Sequence, residues 1–337
     1  MFLSVFIGVH LWFAPAFLAA AEQATLTSSD VPWRLVDRHT VLIVRIDLRS
    51  ITGESIRSAT NALLGSSIAA AEPWLERADD WLGRLQVAGA DRIYLGLGAP
   101  WDAEGEEIDP PSWLALHHAP GAADKVADTV NQFALQLALK VNVRISDGGW
   151  ITVTGSRPIE PGMPAQQQTL LNLALAQARG GGVSAALALP QGMRRELARM
   201  LGEFGELNAE PLRTIFKRSS GAAEHWQFAT AGLWLGETPA ARVELIFDDP
   251  QGPIELDLAV NLLRELLRQM IVLIGEERDA ERSLRRSLLA AAHGVCRIRY
   301  ADRSALWESG IEHASLLRPV LLEWFSRLGP PQPLEPR

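Results

Sequence analysis

The histidine pair His117–His118 is the part of the sequence that comes nearest to a chemical signature. It ends the strand-like stretch "SWLALHH" and precedes the helix-like stretch "GAADKVADTV". Consecutive strand residues point to opposite faces of a sheet, so two such histidines do not readily bind one ion. Zinc sites also need further His or Cys ligands, and no HExxH pattern or cysteine accompanies this pair.

We therefore interpret His117–His118 as the place where a strand turns into a helix. One imidazole is expected at the edge of the core and the other as a cap of the following turn. Pro120 is expected to begin the helix, because proline is favoured at the first helical position. No metal ion or other cofactor is predicted at this pair.

Two further residues are candidates for a functional site. Asp47 follows a predicted strand, where a carboxylate can serve in acid–base chemistry or simply cap a turn. Trp101 lies in the acid-rich stretch "WDAEGEEIDPPS" and is the tryptophan expected to be exposed, where it could contact a carbohydrate or peptide. The single cysteine, Cys296, lies in the strand-like run "GVCRIRY" and is expected to be a buried apolar residue.

Composition excludes several classes of protein. Of the 337 residues, 47% are hydrophobic and 21% are charged, which is typical of a chain with well-formed cores and excludes a mainly disordered protein. The net charge of -8, with scattered arginines, argues against binding to nucleic acid, which requires clustered positive charge.

The first residues predict export. An apolar stretch from Phe2 to Leu18 ends in Ala19-Ala20-Ala21, a pattern of small residues typical of a signal-peptide cleavage site. The protein is therefore expected in the periplasm or outside the cell. No Lys or Arg precedes Arg34, so an uncleaved anchor remains the alternative, and contact with the membrane is expected only in that case.

Hydrophobic periodicity predicts an α+β protein built from two similar units. Each half reads as strand, helix, strand, strand, helix and strand, which is the order of a ferredoxin-like (split βαβ) repeat with antiparallel sheets, here with extra helices. The predicted segments are a signal peptide (1–21), a first α/β unit (22–156), a linker with a helix (157–181), a second α/β unit (182–328) and a disordered tail (329–337). The second unit is expected to end in a long helix that begins at Ser304.

The opening strand, Thr40–Leu48 ("TVLIVRIDL"), resembles a group of uncharacterised exported bacterial proteins known from planctomycete-type genomes. In these proteins a valine-rich strand is followed by Asp-Leu. The resemblance implies export and a duplicated α/β layout, and it implies no activity and no site residues.

These observations favour an exported, non-catalytic binding or scaffolding protein, whose partner is an unknown protein or envelope component. The alternative is a hydrolase that uses strand-end Asp or His residues in a cleft between the two units. A cleft lined by converging polar side chains would favour the hydrolase.

Overall fold

A computed structural model describes residues 31–65, 69, 71–98, 112–136, 139–155, 160, 162–178, 182–235, 240–273 and 298–309. The predicted signal segment, Trp101, Cys296 and the predicted tail lie outside these residues. The described part of the chain forms an α+β structure with seven α-helices and one sheet of ten strands.

The strands are β1 Thr40–Asp47, β2 Ala90–Gly98, β3 Ser112–His118, β4 Asn142–Ser146, β5 Trp150–Thr154, β6 Val183–Leu187, β7 Trp226–Trp234, β8 Ala240–Phe247, β9 Ile298–Ala301 and β10 Ser304–Ser309. The helices are α1 Gly53–Leu64, α2 Glu72–Ala88, α3 Ala123–Gln136, α4 Ala165–Gln177, α5 Gln191–Glu206, α6 Leu212–His225 and α7 Gln251–Leu273. A single 3-10 turn, Trp33–Leu35, precedes β1. None of the helices in the described ranges is long and apolar enough to cross a bilayer.

The sheet is continuous and every neighbouring pair of strands is antiparallel. Its order is β4-β5-β3-β2-β1-β6-β7-β8-β10-β9. The pair β1–β6 joins the two halves of the chain, and the order outward from this seam is first, second, third, fifth and fourth strand on both sides.

The α+β prediction holds, but the ferredoxin-like repeat is not confirmed. In a split βαβ unit, a helix connects two strands that flank a third strand between them. Here two helices, α1 and α2, connect β1 to β2, and β2 lies directly beside β1 and antiparallel to it. The second helix reverses the chain once more, so the chain returns next to the strand that it left.

Alternation along β1 assigns the two faces of the sheet. Val44 and Ile46 pack with α1, α2 and α3 in one core, and we call this side the helix face. Ile43 packs on the other side with Leu171 of α4, together with residues of β2, β3, β6 and β7, and we call this side the α4 face. Because α4 contacts β1, β6 and β7, the linker helix covers the seam between the halves.

Two parts of the second half differ from the sequence prediction. Ser304–Ser309, expected to begin a helix, forms β10, which pairs with β8 and β9. Its residues alternate between the faces, with Ala305 buried against Phe247, and this period of two is that of a strand. Helix α6 was also not predicted as a separate element, although it gives the second half a helix pair like that of the first.

Candidate functional site

Four side chains meet where β1 and β3 end and where β2 and β5 begin. They are Arg49, Asp91, His117 and Trp150, which we call the strand-end cluster. Strand register places His117 opposite Arg92 on one side and Trp150 on the other. Asp91 lies at an irregularity in the β2–β3 register between Ala90 and Arg92, and such bulges re-aim side chains at the ends of strands.

The carboxylate of Asp91 is buried and has a cationic or donor partner on each oxygen. Its side chain is 11% exposed, whereas that of Arg49 is 75% exposed. Arg49 Nη2 donates to Asp91 Oδ2 at 2.5 Å, and His117 Nδ1 lies 2.6 Å from Asp91 Oδ1. These contacts offset the desolvation of the carboxylate and connect the ends of three strands.

This geometry assigns the tautomer of neutral His117. A carboxylate paired with arginine accepts hydrogen bonds, so His117 Nδ1 carries the proton and Nε2 carries the lone pair. The imidazole packs edge-to-face on Trp150, with 4.9 Å between ring centroids. Gly149, with a φ of +84°, lies beside it, and a Cβ at this position would be 3.5 Å from Nε2.

The second histidine of the pair does not join this site. His118 is buried, and its Nδ1 lies 2.9 Å from the carbonyl oxygen of Ala119. As the next residue of the strand, it projects to the opposite face from His117. The expectation that Pro120 begins the helix is wrong: Pro120 and Gly121 form a turn, Gly121 has a φ of +78°, and α3 begins at Ala123.

Asp47 has a local role in the turn after β1. Its Oδ1 accepts the backbone N–H of Arg49 at 3.0 Å, and its carbonyl oxygen accepts the hydroxyl of Ser50. It therefore fixes the backbone that carries Arg49. Trp101, the remaining candidate from the sequence, lies outside the described residues.

A cluster of the same residue types lies at the other end of the sheet, where β7 begins and β8 ends. Arg194, His225 and Asp248 form it, and we call it the opposite cluster. Arg194 Nη1 donates to the carbonyl oxygen of Trp226 at 2.5 Å and lies 3.3 Å from Asp248 Oδ2. His225 Nδ1 lies 3.5 Å from Asp248 Oδ1.

Sequence reasoning missed Asp91 and Arg49. Asp91 is 26 residues from His117 and Arg49 is 42 residues from Asp91, so no local spacing connects them. Only the pairing of β1, β2 and β3 brings them together. Among the residues that the structure describes, no three His, Cys, Asp or Glu side chains are arranged to hold a metal ion.

A groove with a volume of about 620 Å³ lies elsewhere, between α2 and α3. We call it the α2–α3 groove; residues that line it include Asp80, Gly83, Arg84, Val87, Lys125 and Thr129. These helices cover the helix face of the sheet, whereas His117 lies on the α4 face with Trp150. The groove and the strand-end cluster are therefore separate features.

Comparison of the chain with protein-family models, with curated proteins and with solved structures finds no match.

Proposed function

We propose that the protein is an exported binding or scaffolding protein without catalytic activity of its own. The observation that carries the proposal is the presence of a His–Asp–Arg cluster in each half of the sheet. One connects the ends of β1, β2 and β3, and the other lies where β7 begins and β8 ends.

Both clusters have the contacts of structural cross-links. In the first, both oxygens of Asp91 are bonded to groups from neighbouring strands. In the second, the buried guanidinium of Arg194 bonds to a backbone carbonyl group at the start of β7. In each cluster, hydrogen bonds and ion pairs from a buried charged group to neighbouring elements hold strand ends in register, which suits a rigid sheet that presents a surface.

We further propose that the chain arose by duplication of one α/β unit. The matching outward strand order from the seam supports this, as does the helix pair that precedes the second strand in each half. The β1–β6 pair then joins the two units into one sheet, with the two clusters at opposite ends.

Export rests on the apolar segment Phe2–Leu18 and the Ala19-Ala20-Ala21 site. The partner is an unknown protein or envelope component of the same compartment. N-terminal sequencing of the protein recovered from its host tests this part: a mature chain that begins at Glu22 supports export with cleavage, and a chain that still begins at Met1 contradicts it.

Substitution in the strand-end cluster tests the non-catalytic role. We expect His117→Gln to lower thermal stability and to leave the hydrolysis of ester, phosphoester and peptide substrates at the level of the wild type. His225→Gln is the matched control in the opposite cluster. Hydrolysis that is present in the wild type, lost in His117→Gln and kept in His225→Gln would contradict the proposal.

One observation favours a hydrolase as the second candidate. An aspartate bonded to Nδ1 orients a histidine so that Nε2 can accept a proton, which is the arrangement of a general base. The 2.6 Å contact of His117 with Asp91 has this form, whereas the 3.5 Å contact of His225 with Asp248 is loose. The same pair of variants decides between the two candidates.

A further inference from the structure

The α2–α3 groove has walls that come from one face of each helix. Asp80, Gly83, Arg84 and Val87 recur on α2 at spacings of three and four residues, and Lys125 and Thr129 do so on α3. The helices run antiparallel: Gly89, after the end of α2, contacts Ala122 before the start of α3, and the rings of Trp81 and Phe133 meet further along. Lys125 therefore lies near the C-terminal end of α2.

The α2 wall combines a protruding side chain near the C-terminal end of the helix with a gap one turn earlier. Val87 is 89% exposed, the largest exposure among the large apolar side chains of the described residues. One turn earlier, a Cβ on Gly83 would have no heavy atom within 4 Å. A glycine inside a helix destabilises it by roughly 0.5–1 kcal/mol relative to alanine. Contacts within one chain explain neither the glycine at position 83 nor the exposed valine at position 87.

The charges along the groove complement one another. Asp79 and Asp80 lie on α2 toward its N-terminal half, while Arg84 lies further along α2 and Lys125 lies on α3 near the other end. Arg84 Nε is 2.9 Å from the carboxylate of Asp80, and the guanidinium lies 5.8 Å from the ring centroid of Trp81. Two acids and two bases give this surface no net charge, with negative groups at one end and Lys125 at the other.

A surface with these properties fits a second copy of itself. Two-fold interfaces bring the same patch of both subunits together, so the patch must be self-complementary in shape and charge. In an antiparallel approach of two α2 helices, Val87 of each copy enters the gap at Gly83 of the other. The same approach directs Asp80 of each copy toward the end of the groove that Lys125 lines, while the carboxylate of Asp79 packs on Gly53 of its own chain.

We propose that the α2–α3 groove is the interface of a homodimer, with Val87 of one copy packed on Gly83 of the other. This goes beyond the proposed binding role and does not depend on it. The interface lies on the helix face of the sheet. In the dimer, the α4 faces of both sheets would therefore remain accessible to other partners.

Sedimentation velocity of the mature chain over a range of concentrations tests the proposal. We expect a dimer whose dissociation constant rises about tenfold or more in Gly83→Gln and in Val87→Glu, the size of effect expected for a central interface residue. Gly202→Gln on α5 and Val272→Glu on α7 are the matched controls: Gly202 is also a mid-helix glycine, where a Cβ would make one ordinary contact, 3.7 Å to Ser220 Oγ, and Val272 is 82% exposed. Circular dichroism verifies that each variant is folded.

A compensating pair tests the register of the two helices. Val87→Glu and Gly83→Lys should each weaken self-association, whereas a mixture of the two chains should form a heterodimer. In that heterodimer the introduced glutamate of one chain faces the introduced lysine of the other, and the second Val87–Gly83 contact is that of the wild type. A wild type that is monomeric at all concentrations would overturn the proposal and leave the groove to a helix of another protein. A dimer that is equally sensitive to the control variants, or a mixture that does not associate, would also overturn it.

Discussion

The two His–Asp–Arg clusters contain the same residue types, but a different member is buried in each. In the strand-end cluster the carboxylate of Asp91 is buried and Arg49 extends into solvent. In the opposite cluster the guanidinium of Arg194 is 9% exposed and Asp248 is 46% exposed. The first cluster thus surrounds a buried anion with an arginine and a histidine, and the second holds a buried cation with a carbonyl group and a carboxylate.

The two clusters therefore depend on different partners for their stability. A buried charge that loses its partners is costly, whereas an exposed charge that loses its partner returns to water at little cost. Stability should therefore depend on Arg49 and His117 in the strand-end cluster. In the opposite cluster it should depend on Arg194 itself and only weakly on Asp248.

Removal of the arginine and the histidine from each cluster should give the largest contrast. The variant Arg49→Met/His117→Leu leaves the buried carboxylate of Asp91 with only the long contact to Arg92 Nε, 3.8 Å from Oδ1, and we expect a loss of about 3 kcal/mol in the free energy of unfolding at neutral pH. The variant Arg194→Met/His225→Leu leaves the half-exposed Asp248 to water and should lose about 1–3 kcal/mol, chiefly through the carbonyl group of Trp226. Urea unfolding at neutral pH measures both, and equal losses would contradict the distinction.

Neutral substitutions of the two aspartates should sharpen the contrast. Asp91→Asn removes the charge that Arg49 and His117 both contact, and we expect a loss of about 1–2 kcal/mol. Asp248→Asn weakens longer, more exposed contacts and should lose less than about 1 kcal/mol. The ranking is to be measured by thermal unfolding, and the reverse ranking would show that the exposed carboxylate is the important one.

The sequence was sufficient to predict elements whose pattern is local. The alternation of apolar residues in β1 and the apolar stripe Leu75, Trp81, Leu82 and Leu85 of α2 can be seen in the sequence, and the structure buries them on the faces that these patterns imply. Asp147-Gly148-Gly149, a sequence typical of a hairpin turn, joins β4 and β5. Strand order is a long-range property, because a helix pair can bring the next strand to either side of the strand before it. The ferredoxin-like repeat was predicted only from the order of strands and helices along the chain, which does not determine their order in the sheet. The partnership of Asp91 with His117 depends on that pairing and on an irregular register, neither of which leaves a motif in the sequence.

His225 of the opposite cluster also lies near an ion pair of the second half, between Glu255 and Arg218. This ion pair predicts that the free energy of unfolding depends on pH. Burial alone would raise the pKa of Glu255 in α7, but hydrogen bonds from Arg218 and Gln251, with the charges of Arg218 and His225, hold this pKa below its usual range. Arg218 Nη1 contacts both carboxylate oxygens at 3.0 Å.

A carboxyl group whose pKa is lower in the folded state stabilises the fold above its unfolded pKa. This stability, on the order of 1 kcal/mol for a hydrogen-bonded charge, is lost as the pH falls from about 5 through the folded pKa. Glu255→Gln should therefore lose stability at neutral pH and show a shallower decline in acid than the wild type. Glu203→Gln is the contrast: Glu203 pairs with Arg199, but the two side chains are 57% and 55% exposed, so the loss should be small and high salt should remove it. A Glu255→Gln variant whose stability falls with decreasing pH as steeply as that of the wild type would contradict this role.

The smallest expected effect concerns the turn that adjoins the strand-end cluster. Gly149 has a φ of +84°, a backbone conformation that residues with a Cβ rarely adopt, and a Cβ here would lie 3.4 Å from the carbonyl oxygen of His118 and 3.5 Å from His117 Nε2. We expect Gly149→Ala to lose about 1 kcal/mol through backbone strain and to displace the imidazole.

Gly155→Ala is the matched control, since a Cβ there has no heavy atom within 4 Å and its φ is outside the left-handed region. Because the opposite cluster lies at the other end of the sheet, NMR of the imidazoles should show a shift for His117 and none for His225. A Gly149→Ala variant that is as stable as Gly155→Ala, with both histidine signals unchanged, would show that the turn does not constrain the strand-end cluster.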